Sequence, residues 1–222
     1  MIGLMLKDIM PQKKVYLLVF MIAIIAFPVS SNYPLMPGLD MRFGPILVLF
    51  ILGFLICFSG FMIDEREKAD VIVNSFAIPR EKIVVARYLL SIITLAIFTI
   101  VGIGAELLVE LTIHIDADGK IFYYLLGYSM GMLFVFIAYP FYYLLGSTNG
   151  QRVSFFLYFA ISFGLPYLCT KLLPFETMAL GKKISMDVSS FSNMVFLSYA
   201  VVVIVGIVSV GLSIMAYRKR EF

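Results

Sequence analysis

Residues 62–88 read MIDEREKADVIVNSFAIPREKIVVARY, and they concentrate charge in a chain that otherwise avoids it. Asp64, Glu65, Arg66, Glu67, Lys68, Asp70, Arg80, Glu81, Lys82 and Arg87 are ten of the 31 Asp, Glu, Lys and Arg residues. The whole chain is 62% hydrophobic and 14% charged, with a mean hydropathy of +1.01. A soluble domain holds about 25% charged residues and roughly 45–50% apolar ones. A globule of this size must cover itself with polar side chains, and this chain lacks them. The fold class follows: all-α, a polytopic membrane protein, with the charged stretch lying in water between two spans.

Working outward from that stretch, a spanning helix needs about 20 mostly apolar residues to cross roughly 30 Å of hydrocarbon. Six segments qualify, at 15–31, 45–63, 83–108, 121–145, 153–173 and 195–217, and they make residues 1–222 a single transmembrane domain. Pro28 marks the exit of the first. The third stays apolar to Ile113 but is interrupted by Arg87, Glu106 and Glu110, so Tyr88–Ala105 is the part expected in lipid. Pro140 and Pro166 fall inside spans, where a missing backbone donor kinks a helix. With the N-terminus inside, twelve Lys and Arg residues fall on the cytoplasmic side and five outside. That bias places both termini in the cytoplasm of a multi-pass plasma-membrane protein.

The charged stretch has internal order. Ala69, Ile72, Val73 and Phe76 line one helical face, and Asp64 precedes Lys68 by four residues, the favourable order for a helical pair. Pro79 ends this helix by disfavouring a helical conformation at Ile78. A helix of about fifteen residues is marginal alone in water and needs something to pack on. Residues 64–82 therefore read as a cytoplasmic docking helix presenting Ile72, Val73 and Phe76, with Phe76 the best anchor; a plain solvated hairpin is the alternative. Residues 1–14 carry a second stripe, Ile2, Met5, Leu6, Ile9 and Met10, suited to an amphipathic helix lying in the membrane interface.

The N-terminal amphipathic element, the six spans and the segment IPREKIVVARYLLSI (residues 78–92) resemble the permease subunits of ABC-2 type exporters. Among these the chain is most similar to the small Gram-positive permeases, including exporters of phenol-soluble modulins and other amphipathic peptides. Where that family has a Leu-Pro-x-x-Arg turn, this chain has Ile78-Pro79-Arg80. The resemblance implies that residues 64–82 are a coupling helix seated on an ABC ATPase. Asp64, Glu65, Glu67, Lys68, Asp70, Ile72, Val73, Phe76, Pro79 and Arg80 would then be its docking residues. It further implies two ATPase copies binding ATP and Mg, a second permease (identical or different), and export of amphipathic or hydrophobic compounds.

No GxxxxGK[ST] motif occurs, so ATP hydrolysis must come from a partner, and the chain itself is not read as an enzyme. The single histidine, His114, leaves no His pair for metal or acid–base chemistry, and no cofactor is expected on this chain. A net charge of +3 without a basic tract gives no footprint for nucleic acid. Cys57 and Cys169 lie in apolar runs and read as small core residues.

Glu106 and Glu110 share a helical face near the outer end of the third span. They read either as a cation, proton or cationic-peptide site or, preferred here, as groups reaching the headgroups. Phe134, Phe136 and Tyr139 could line a substrate path, although packing against lipid is the preferred role for most of them. Tyr123, Tyr124, Tyr142 and Tyr143 suit an interfacial belt. Gly127 and Gly131 form a GxxxG that would permit close helix contact. The competing functions are an ATP-independent solute carrier, for which the expected internal repeat is lacking, and a toxin-immunity membrane protein.

Overall fold

The computed structural model describes residues 17, 19–27, 29, 44–67, 79–113, 120–164 and 188–219. Residues 1–14 and 165–173, and all of 64–82 between Lys68 and Ile78, lie outside them. Among the described residues the architecture is all-α: α1 (Gly44–Glu67), α2 (Arg80–Ile113), α3 (Lys120–Leu145), α4 (Ser147–Phe159) continued by a π-helical turn (Ala160–Gly164), and α5 (Val188–Lys219). Residues 19–27 are also helical. In hydrocarbon the backbone has no water to bond, and a helix satisfies its donors and acceptors internally. Threonine hydroxyls follow the same rule: Thr94 and Thr99 donate to the carbonyls of Leu90 and Leu95 at 2.7 and 2.8 Å.

Among the described residues, four helices are long and apolar enough to cross a membrane: Gly44–Met62, Arg80–Val109, Ile121–Leu145 and Val195–Lys219. They coincide with the second, third, fourth and sixth expected spans. The first and fifth expected spans are helical where described, at 19–27 and 153–164. Helix α1 runs past its membrane-length portion to Glu67, so Asp64 and Glu65 continue the same helix rather than begin a new element.

Successive helices alternate in direction, and α3 is the central one, packed by α1, α2, α4 and α5. One end of the bundle, called the near end below, gathers the C-termini of α1, α3 and α5 with the N-terminus of α2. Toward the opposite end, the GxxxG in the N-terminal half of α3 is used against α1. A Cβ on Gly53 would come within 2.8 Å of the Gly131 carbonyl oxygen, and one on Gly127 within 3.0 Å of Ile46 Cα. The two backbones touch, which only glycine permits.

Pro140 sits inside α3 without ending it. Proline has no N–H, so the carbonyl of Phe136, four residues earlier, loses its helical donor. Ser209 of α5 replaces that donor, its hydroxyl bonding the Phe136 carbonyl at 2.5 Å. Having spent its one proton there, Ser209 must accept from Tyr88, 2.7 Å away, and Tyr88 in turn accepts from Ser213 at 2.7 Å. A directed chain of hydroxyls thus ties α2 and α5 to the proline site of α3.

The aromatic residues depart from expectation. Tyr123, Tyr124, Tyr142 and Tyr143 are buried in the bundle rather than forming an outward belt, and Phe134, Phe136 and Tyr139 also point inward rather than to lipid. Partners inside the protein explain part of this: Tyr142 and Tyr124 each hydrogen-bond a buried carboxylate, and Phe134 packs edge-on to Phe50 and Phe54. Cys57 is a buried core residue as expected; Cys169 lies outside the described residues.

Candidate functional site

The near end holds a buried charge pair. Asp64, in the last turn of α1, is 6% exposed. An Arg87 guanidinium nitrogen, two turns into α2, lies 2.5 Å from one of its carboxylate oxygens. That same oxygen accepts the Tyr142 hydroxyl of α3 at 2.6 Å. The Tyr142 ring is stacked on Phe61 at a centroid distance of 4.4 Å and an interplanar angle of 8°. The Arg87 guanidinium lies 5.1 Å from the same ring's centroid. A charge taken out of water needs a partner of this kind, because breaking the pair leaves an uncompensated ion in low dielectric. Three helices therefore meet at a single carboxylate.

Hydroxyls and rings surround the pair. Ser91 donates to the Arg87 carbonyl at 3.1 Å and so accepts from Tyr139 at 2.5 Å. Tyr143 packs edge-on between Tyr142 and Tyr217. Its hydroxyl is buried without a hydrogen-bond partner among the described residues.

A second tie joins the first turn of α2 to the last turn of α5. Arg80 donates to the carbonyls of Tyr217 and Arg218 at 3.1 and 3.3 Å, and its guanidinium lies 5.8 Å from the Tyr217 ring centroid. These carbonyls are among those a helix terminus leaves without an internal partner. Glu81 pairs with Arg218 in the open. Thr148 of α4 donates to Glu65 at 3.0 Å, also exposed.

Between α2, α3 and α5 lies a cavity of about 550 Å³, open at the side, with Tyr88, Tyr128, Met132, Phe136, Tyr199 and Gly206 in its lining. Among the described residues no charged side chain lines it. The Tyr88 hydroxyl is engaged in the chain described above, and Tyr199 donates to the Leu125 carbonyl at 3.3 Å. The space suits an apolar group, and among the described residues its lining has no carboxylate, amine, imidazole or thiol. Among the described residues no cluster of His, Cys, Asp and Glu could hold a metal ion.

A bundle of apolar helices with a charged, cross-tied end matches a known pattern along nearly its whole length: a family model described as ABC-2 family transporter protein matches residues 3–218. The chain belongs to the ABC-2 transporter family. No curated protein and no solved structure matches it. ABC-2 permeases are membrane transport components, generally without an ATPase site of their own, that work with an ABC ATPase.

In this ABC-2 chain the sequence-derived docking residues divide. Asp64 and Glu65 lie in the last turn of α1, while Pro79 immediately precedes α2 and Arg80 is its first residue. Asp64 is turned inward to Arg87 and Tyr142, and Arg80 caps α5. Glu67 lies on α1, but its side chain is outside the described residues, as are Lys68, Asp70, Ile72, Val73 and Phe76.

Of the proposed path residues, Phe136 lines the cavity, Tyr139 lies in the core against the lining residue Tyr88, and Phe134 lies in the core against α1 and α4. Glu106 is buried instead of reaching the headgroups, and it accepts the Tyr124 hydroxyl at 3.4 Å. Phe27, packed on Tyr124 and over Gly102, closes that region. Glu110 lies on α2, with its side chain outside the described residues.

Sequence reasoning did not single out Arg87, Tyr142, Tyr217 or Arg218 as site residues. Its one available signal was Arg87, a charge interrupting an apolar run.

Proposed function

We propose that this chain is the membrane-spanning permease subunit of an ATP-driven exporter of amphipathic or hydrophobic compounds. The observation that carries the reading is the family match across residues 3–218, in a sequence without a P-loop. Six spans place the near end and both termini in the cytoplasm, following the Lys and Arg distribution. Two ATPase subunits, holding ATP and Mg, dock on the segment that follows Asp64, within residues 65–82, with Phe76 as the anchor, while Asp64 is engaged inside the bundle. Two permeases, identical or different, enclose the substrate path at their interface, which alternates in access as the ATPases close. The uncharged, apolar character of the cavity between α2, α3 and α5 supports an apolar rather than an ionic cargo.

Hydrolysis assays on the purified chain, alone and with the P-loop subunit that co-purifies with it, test this reading. The chain alone hydrolyses no ATP, and the assembled complex hydrolyses it and concentrates a cytolytic amphipathic peptide inside inverted vesicles. Hydrolysis by the chain alone would overturn the assignment. Peptide uptake that proceeds without ATP would favour an independent carrier.

A further inference from the structure

We infer that Asp64, Arg87 and Tyr142 are positioning residues that pin α1, α2 and α3 together, so that a displacement of α2 at the near end moves all three helices. The inference rests on the permease reading above, and it gives Asp64 a role inside the bundle rather than at the ATPase contact.

Helix α1 ends at Glu67, one turn beyond Asp64, and α2 begins at Arg80, two turns before Arg87. Any force applied to the connection between these helices therefore arrives at the end of α1 and the start of α2. Apolar faces packed on apolar faces resist sliding only through their shape. A charge pair in low dielectric resists it differently, because its attraction is strong there and drawing two buried ions apart costs more than it would in water. At 2.5 Å, and with little exposure of either side chain, Asp64 and Arg87 form such a pin. Tyr142 extends it to α3 by bonding the same carboxylate oxygen, while its ring is held against Phe61. An apolar trio of equal volume could hold the helices as firmly, so what the charges add is a fixed register between them.

The test uses the whole complex, with its co-purified ATPase, in nanodiscs. Spin labels are placed on cysteines replacing Ile51 of α1 and Leu107 of α2, both exposed, after Cys57 and Cys169 are changed to Ala. The distance between labels is measured before and after trapping with ATP and vanadate. In the parent, trapping changes the distance. In Asp64→Asn the trapped complex keeps the resting distance, while ATPase affinity stays within about threefold of the parent.

A parental distance change in an assembled Asp64→Asn complex would overturn the inference and leave the permease reading standing. Loss of ATPase affinity by about tenfold or more would make Asp64 a docking residue and overturn it as well. A parent that binds no ATPase, or does not respond to trapping, would remove the permease reading and the inference together. Should Asp64→Asn fail to assemble, Tyr142→Phe decides in the same assay. It keeps the ion pair, and it must reduce the distance change for the inference to stand.

Discussion

Among the described residues two ion pairs hold the start of α2, and they sit in opposite surroundings. Asp64–Arg87 is buried, shares a carboxylate oxygen with Tyr142 and joins three helices. Glu81–Arg218 joins α2 to α5 with both side chains about half or more exposed. Water and ions screen the exposed pair, whose charges remain solvated when it opens. Opening the buried pair draws two poorly hydrated charges apart. The same chemistry thus gives a rigid joint in one place and a loose, replaceable contact within two helical turns of it.

The largest effect is expected from Arg87→Ala, which leaves Asp64 without its counter-charge. Removing one partner of a buried pair costs about 3–5 kcal/mol, read as lost stability in a denaturation series in detergent. The paired replacement Asp64→Leu with Arg87→Met sharpens the comparison. Because it removes both charges, it should restore most of that stability, and a double variant as unstable as Arg87→Ala would show that packing, not charge, sets the cost. Next comes Tyr142→Phe, which keeps the ring stack and removes one hydrogen bond to a charged group, a loss of about 1.5–3 kcal/mol in the same assay. Smallest is Glu81→Ala, below about 1 kcal/mol and shrinking further in high salt. If Glu81→Ala matched Arg87→Ala, the distinction between the two pairs would collapse.

The four membrane-length helices were legible in hydropathy because lipid enforces long, uninterrupted apolar runs. Their ends were less so. Asp64–Glu67 read as the start of a cytoplasmic element, yet α1 continues through them, since Arg87 and Tyr142 supply at Asp64 what water would have supplied. Which aromatic rings face inward could not be read at all. Lipid tails and a bundle interior are equally apolar, so Tyr142 and Tyr124 carry no periodic signature of their direction. Gly127 and Gly131 signalled a close contact, but the opposing Gly53 emerges only when α1 and α3 are placed side by side. The Asp64–Arg87 pair spans two helices with no fixed spacing in sequence, and for that reason the joint was invisible until the fold existed.

The central claim is that the near end, with its cross-tied helix termini, faces the cytoplasm, where an ATPase can reach it. Single cysteines at Lys82, exposed at the start of α2, and at Asp118, between α2 and α3, test it with a membrane-impermeant thiol reagent on intact cells. The buried Cys57 is left in place and Cys169 is replaced. The account predicts labelling at Asp118 and none at Lys82 until the membrane is opened. Labelling at Lys82 in intact cells, with Asp118 protected, would contradict it.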